Sequence, residues 1–299
     1  MRHSTWLKLE SSPIWHPAYR LYRRLPAAWR APLRWMLMPH WSLMTGLVHA
    51  RAGRRVSKGP FAGTQLLLSG PSERLLPCYM LGTWELEIQS AIEQLAQRDY
   101  GTVINIGAAD GYYATGFARR MPKAQVLAFE AVSELHDIIR RTAAANGVAD
   151  RVHIGGYCDS AALRAALARA KPPILLVVDI EGYETQLLDP SAVPELRSVD
   201  LLIETHDAAV PGCTELLIDR FGSSHMVERF TARPRELRDF PPDFLRLLPK
   251  LFPSAAVELM NERRMGTQQW LCCQARQSKV GLQDRAEANR TEMAAAPAK

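Results

Sequence analysis

A Cys-x-x-C pair is missing from this sequence, although it holds five cysteines, Cys78, Cys158, Cys213, Cys272 and Cys273. An odd number without metal-ligand spacing argues against a disulfide framework or a zinc site and for reduced thiols in a cytosolic setting. No Gly-Lys-Ser/Thr occurs, so there is no P-loop. No apolar run is long enough to span a bilayer: the most apolar stretch, residues 33–50, is broken by Arg34, Pro39, His40 and His49. Met1 to Glu10 lacks the apolar core of a secretory leader, so none is expected. Acidic residues are scarce at one end only. Residues 1–60 hold eleven Lys or Arg against a single acid, Glu10, a local charge of +10 in a chain of net charge +6; the other 239 residues carry −4.

That basic segment is rich in aromatics. It carries five of the seven tryptophans, Trp6, Trp15, Trp29, Trp35 and Trp41, interleaved with arginines. Rings beside cations suit either packing on a folded domain or in-plane contact with an anionic membrane surface. No nucleic-acid module accompanies the charge, and no nucleic-acid partner is expected. The expected organisation is a basic, aromatic extension over residues 1–60, an α/β domain over 61–274 with a Pro-rich insertion at 233–253, and a polar, disordered tail over 275–299. The location expected is cytoplasmic, with peripheral contact at the inner face of the membrane.

The domain is organised around residues 101–114, GTVINIGAADGYYA. A β-branched run enters a small-residue turn, which opens a helical pattern from Tyr113 to Arg120: a buried strand, a tight turn and a helix start. Gly107 and Gly111 let the backbone approach a ligand, and the helix start points free N–H groups at it. A dinucleotide fingerprint would need glycine where Ala109 stands, which disfavours a nicotinamide cofactor and leaves S-adenosylmethionine as the common remaining user of such a turn. Glu130 ends a second strand pattern, Val126–Phe129, 23 residues after Gly107, where a carboxylate can accept both ribose hydroxyls.

The pattern then repeats. A helix is expected over Ser133–Ala145, a strand over Arg151–Gly155, a helix over Ser160–Ala170, a strand over Ile174–Val178 and a strand over Leu201–Ile203. Helices are further expected over Trp84–Arg98 and Glu215–Phe221, a strand near Met226–Phe230, and a last strand over Gln268–Cys273; if that strand runs antiparallel to the rest, Asn261–Arg264 lie on the rim before it. Such alternation makes a Rossmann-like, doubly wound, mostly parallel seven-stranded sheet, with ligands bound beyond the carboxyl ends of its strands. Asp159, Asp179, Glu181, Glu204 and His206 all fall on that edge. Asp159 either caps the helix after it or reaches the adenine. Glu85 either complements a helix start or serves as a ligand.

Methyl transfer from a sulfonium needs an acceptor oxygen held in line and its proton removed. His206 is the candidate base, and Asp179 and Glu181 are the candidates to position the acceptor. No metal is expected in this reading; the alternative is that Asp179 and Glu181, with Glu204, bind a divalent cation through oxygen. A different outcome is a membrane-recruited binding module of the same fold without turnover.

Four segments, Val103–Tyr113, Ala128–Ala131, Val177–Glu184 and Leu202–Asp207, together resemble the FkbM-type S-adenosylmethionine-dependent methyltransferases over residues 84–273. The resemblance implies a sheet with a reversed last strand and O-methylation of a sugar, glycan precursor or secondary metabolite. With the turn and strand ends read above, the candidate cofactor contacts are Glu85, Asn105, Gly107, Ala108, Asp110, Gly111, Glu130 and Asp159. Two positions depart from the family pattern: Asn105 stands for the usual Asp, and Ala109 for a frequent Asn.

Overall fold

The computed structural model describes residues 39–68, 75–264 and 267–276, with isolated positions between 21 and 36. Apart from those positions, the expected membrane-facing segment up to residue 38 lies outside the described residues, as does the tail from residue 277.

The strand runs behave as their composition dictates. β1 (Thr102–Ile106) is buried at every position. β2 (Gln125–Phe129), β3 (Val152–Gly155), β4 (Ile174–Val178) and β5 (Asp200–Thr205) join it in parallel, with Ile104 of β1 between Leu127 and Leu176. A continuous apolar run such as Ile174–Val178 is what a central strand covered on both faces requires. β6 (His225–Thr231) and β7 (Gln269–Ala275) complete the sheet in the order β3-β2-β1-β4-β5-β7-β6, and β7 runs antiparallel to both its neighbours. β7 reaches Ala275, one residue past the expected end of the domain.

Alternation along the strands sends Val103, Val126, Ala128, Leu175, Val177 and Leu202 into one apolar core, and Ile104, Ile106, Leu176, Val178, Leu201 and Ile203 into another on the opposite face. The first core also takes Met44 and Val48 from α1 (Pro39–Ala52); four residues apart, they share one face of that helix and are fully buried. Phe61 lies edge-on against Tyr112, Tyr113 and Phe117, with ring centroids 5.0–5.9 Å apart. Residues 39–60 therefore belong to the folded domain, so the extension expected over 1–60 is shorter than its charge suggested.

Two other expectations change. The helix expected over Trp84–Arg98 is interrupted: Glu85 is left-handed (φ 47°), a 3₁₀ turn spans Leu86–Ile88, and the α-helix, α3 after α2 (Leu76–Leu81), covers only Gln89–Ala96. Between β1 and β2 lies α4 (Tyr112–Arg120). The helix after β2, α5, spans Ser133–Ala145 as expected, and α6 (Ser160–Arg169) follows β3. α7 (Glu184–Leu187) follows β4 and α8 (Cys213–Gly222) follows β5. The Pro-rich insertion holds a short helix, α9 (Leu248–Leu251), and leads into α10 (Pro253–Leu259), whose Ala255, Ala256 and Leu259 are buried. Its flanking prolines and small residues hide the helical period. Among the described residues no helix is long and apolar enough to cross a membrane.

Candidate active site

The turn after β1 is fixed by contact with the end of β4. Gly107 has φ +79°, and a Cβ there would lie 1.7 Å from the Asp179 carbonyl oxygen. Only glycine fits such an approach. Gly107 and Ala108 donate their amides to the Phe129 carbonyl (2.9 and 3.0 Å), which ties the turn to β2 as well. Ala109 follows in the left-handed region, at φ 47°. That conformation costs an alanine about 1–2 kcal/mol and suits the asparagine of the family pattern better.

Glu130, 7% exposed, laces this turn together: one carboxylate oxygen accepts from the Ala109 amide (2.7 Å) and the other from the Val132 amide (2.8 Å). Each oxygen keeps a further lone pair. Asp110 is buried beside it, and burial is the main reason its carboxyl is pushed up to about 6, with Glu130 adding to the rise and backbone amides opposing it. Gly111 (φ +84°) starts α4. Asn105 donates from Nδ2 to the Val177 carbonyl (3.3 Å), which an ionised aspartate cannot do; its Oδ1 is buried with no hydrogen-bond partner.

These residues sit where β1 and β4 part, the switch point at which ligands bind in doubly wound sheets. Asp159 takes the capping role that its position also allowed. Its side chain is exposed and caps α6, accepting from the Ala162 amide at 2.8 Å.

Glu85 lies in a buried ionic network whose members are far apart along the chain. Tyr113 donates its hydroxyl to one Glu85 oxygen, and Arg264 donates to the other. Arg264 also reaches Glu204 and Glu262 and lies over the Trp84 ring at 5.0 Å, while Arg235 joins Glu87 to Glu262. Four acids thus share two guanidinium groups. Desolvation is the dominant reason that Glu85 is pushed up to about 8, with Arg264 opposing it and Glu262 assisting. The rim position expected for Asn261–Arg264 takes this form.

The acids of β4 and β5 converge on His206. Glu184, fully buried, accepts from His206 Nδ1 at 2.8 Å. The same Glu184 oxygen accepts the Ile180 and Gly182 amides (3.1 and 3.3 Å), so the Asp179–Glu184 turn wraps round the group that orients the histidine. On the far side of the ring, Nε2 lies 3.6 Å from Asp179 and 3.5 Å from Glu181. Burial disfavours charge on His206, but the Glu184 bond and then the three surrounding carboxylates outweigh it and raise its pKa. Burial likewise raises Asp179, against the pull of a hydrogen bond from Glu204 and the nearby His206. Glu204 is pushed up to about 10, chiefly by burial and then by the Asp179 charge.

Of the residues picked from sequence, Gly107, Ala108, Asp110, Gly111 and Glu130 come together at the β1 turn, with Asn105 on the strand below. Asp179, Glu181 and His206 form one cluster, with one ligand atom of each within 4.8 Å of the others. Sequence reasoning passed over Glu184, although it closes the Asp-x-Glu-Gly-x-Glu run, and it passed over Tyr113 and Arg264. A buried carboxylate spaced to cap its own turn was the signal available for Glu184; Arg264, 179 residues from Glu85, left none.

A seven-stranded α/β sheet with a reversed seventh strand and this edge defines the Rossmann-like methyltransferase fold. No family model matches the chain, and no curated protein does. It is similar to solved structures that include the O-methyltransferase from Bacillus cereus in complex with SAH, at 10% identity over 82% of this chain and 96% of that one, TM-score 0.41. Others are the O-methyltransferase TomG from Streptomyces achromogenes in complex with SAM (13%, 79% and 90%, TM-score 0.38) and the precorrin-6y C5,15-methyltransferase from Geobacter metallireducens (13%, 70% and 91%, TM-score 0.39). Likenesses this distant do not reach the chemistry, which rests on the side chains above.

Proposed function

We propose that this chain is an S-adenosylmethionine-dependent methyltransferase of the FkbM type, acting on a hydroxyl oxygen of a sugar, a glycan precursor or a secondary metabolite. The observation that carries the reading is the Gly107 turn, pressed without a side chain against the end of β4 and bordered by the Glu130 carboxylate. The residues fit the cofactor on their own terms: Glu130 has spare lone pairs for ribose hydroxyls, and Asn105 Oδ1 is a buried acceptor without a partner.

When bound, S-adenosylmethionine supplies a methyl already activated by its sulfonium. Gly107, Ala108, Asp110, Gly111 and Glu130 would hold the nucleoside, and Asn105 and Glu85 the amino-acid end. Glu184 keeps His206 in one orientation with its Nδ1–H engaged, so Nε2 is presented to the acceptor hydroxyl and takes its proton. Asp179 and Glu181, on either side of Nε2, orient that hydroxyl. General-base help of this kind contributes roughly 10²–10⁴-fold. The basic, aromatic residues ahead of residue 39 would bring the enzyme to an anionic membrane surface on the cytoplasmic side, where a lipid-linked glycan precursor is met.

Isothermal titration with S-adenosylmethionine and its demethylated product tests the reading. Micromolar binding that an Asp110→Ala, Glu130→Ala double variant abolishes is the result expected. Absence of binding by the unaltered chain overturns it.

A further inference from the structure

We infer that Asp179, Glu181 and His206 form a binding site for one divalent transition cation, with Mn²⁺ the best match to the donors. One ligand atom from each residue lies within 4.8 Å of the others, and Nε2 stands 3.5–3.6 Å from the two carboxylates. Bonds of about 2.0–2.2 Å to a shared ion place adjacent ligand atoms about 3 Å apart and opposite ones about 4.2 Å apart. The three atoms are thus within a small adjustment of enclosing an ion.

The arrangement behind the cluster points the same way. Glu184 holds the Nδ1–H of His206, so Nε2 is the ring atom that faces the Asp179 and Glu181 carboxylates, at 3.6 and 3.5 Å. Asp179 Oδ1, the oxygen nearest Nε2, is buried without a hydrogen-bond partner. Atoms so placed call for a positive centre between them, which a proton on Nε2 or a bound cation supplies. Each deeper ligand also has a carboxyl supporting it, Glu184 behind His206 and Glu204 behind Asp179, which is the outer-shell pattern that orients metal ligands.

The third ligand completes an open site. Glu181 is left-handed (φ 55°) and its side chain is 89% exposed, so the solvent side remains free for water and for an acceptor hydroxyl. Two carboxylates with one imidazole combine hard oxygen with borderline nitrogen, which suits Mn²⁺ better than Mg²⁺ or Ca²⁺. Ion binding does not depend on the methyltransferase reading. If both hold, the loaded protein binds the acceptor oxygen at the ion and lowers its pKa, the proton passing to water, because the His206 lone pair is then committed to the ion.

The test is titration of the EDTA-stripped full chain with Mn²⁺ alone, followed by the loss of the free-ion paramagnetic resonance signal and by calorimetry. About one ion per chain is expected. Glu181→Gln should weaken binding at least tenfold without moving the denaturation midpoint, since that side chain is exposed. Glu184→Gln should weaken it about 10–100-fold through the histidine. Failure of the unaltered chain to bind, or equal binding by an Asp179→Asn, Glu181→Gln double variant, overturns the inference. Parallel titration with S-adenosylmethionine separates the two proposals: Mn²⁺ without cofactor binding upholds the ion site and sinks methyl transfer, and cofactor binding without Mn²⁺ does the reverse.

Discussion

Replacing Gly107 by alanine probes the contact on which the site is built. The new Cβ would sit 1.7 Å from the Asp179 carbonyl oxygen, so the β1 turn and the end of β4 must move apart by more than 1 Å. Alanine at φ +79° costs about 1–2 kcal/mol. The separation also strains the 3.0 Å bond from the Asp179 amide to the Ile106 carbonyl, worth about 0.5–1.5 kcal/mol net. With the displaced packing the total is about 3–5 kcal/mol, a large part of the roughly 5–15 kcal/mol that holds a domain together. Cofactor affinity should fall at least 100-fold, because the amides of residues 107–109 leave their positions. Gly147→Ala is the matched control: its φ is +69°, but nothing lies within 4 Å of the added Cβ. It should cost only about 1–2 kcal/mol and leave binding alone. Urea denaturation and calorimetric titration read both quantities. A Gly107→Ala protein with the midpoint of the Gly147→Ala control and an affinity within threefold of the unaltered chain would refute the close-approach argument.

Two further predictions concern the same turn. Ala109→Gly removes a left-handed alanine and should stabilise the protein by about 0.5–1.5 kcal/mol, seen as a raised denaturation midpoint; a lowered midpoint would show that the turn relaxes away from φ 47° in solution. Asp110 keeps its proton to about pH 6 in the fold but releases it near 3.9 when unfolded, so its favourable contribution is full below about pH 4 and is lost as pH rises through 6. Asp110→Asn, neutral throughout, should match the unaltered chain near pH 4 and exceed it by up to about 3 kcal/mol by pH 7, with weaker cofactor binding. A stability difference independent of pH would contradict the buried, raised carboxyl.

How much of this could be read in advance depended on the distance over which each feature is encoded. Continuous apolar runs and their spacing by helices marked β1, β4 and β5, and the Ser133–Ala145 helix, because period and stop signals are local. The run that forms β7 was legible for the same reason, whereas its reversal was implied only by the family resemblance. Helix α10 was hidden by Pro253 and by the small residues at its buried positions. The helix expected over Trp84–Arg98 is broken by the left-handed backbone at Glu85, whose side-chain partners Tyr113 and Arg264 lie far from it in sequence.

The candidate site divides along the same line. Strand ends face one edge of a doubly wound sheet by topology alone, so sequence sufficed to bring Asp179, Glu181 and His206 to one place, and to put Gly107 and Glu130 at the switch point. Tertiary structure decided what each side chain does there. It turned Asp159 back to cap its own helix, engaged the Nδ1–H of His206 with Glu184 and set Nε2 against two carboxylates. It also buried four acids with two arginines in one network. Pattern is a property of neighbours along the chain; the direction of a lone pair, and whether a charge is shared or left exposed, follows from which distant segments pack against it.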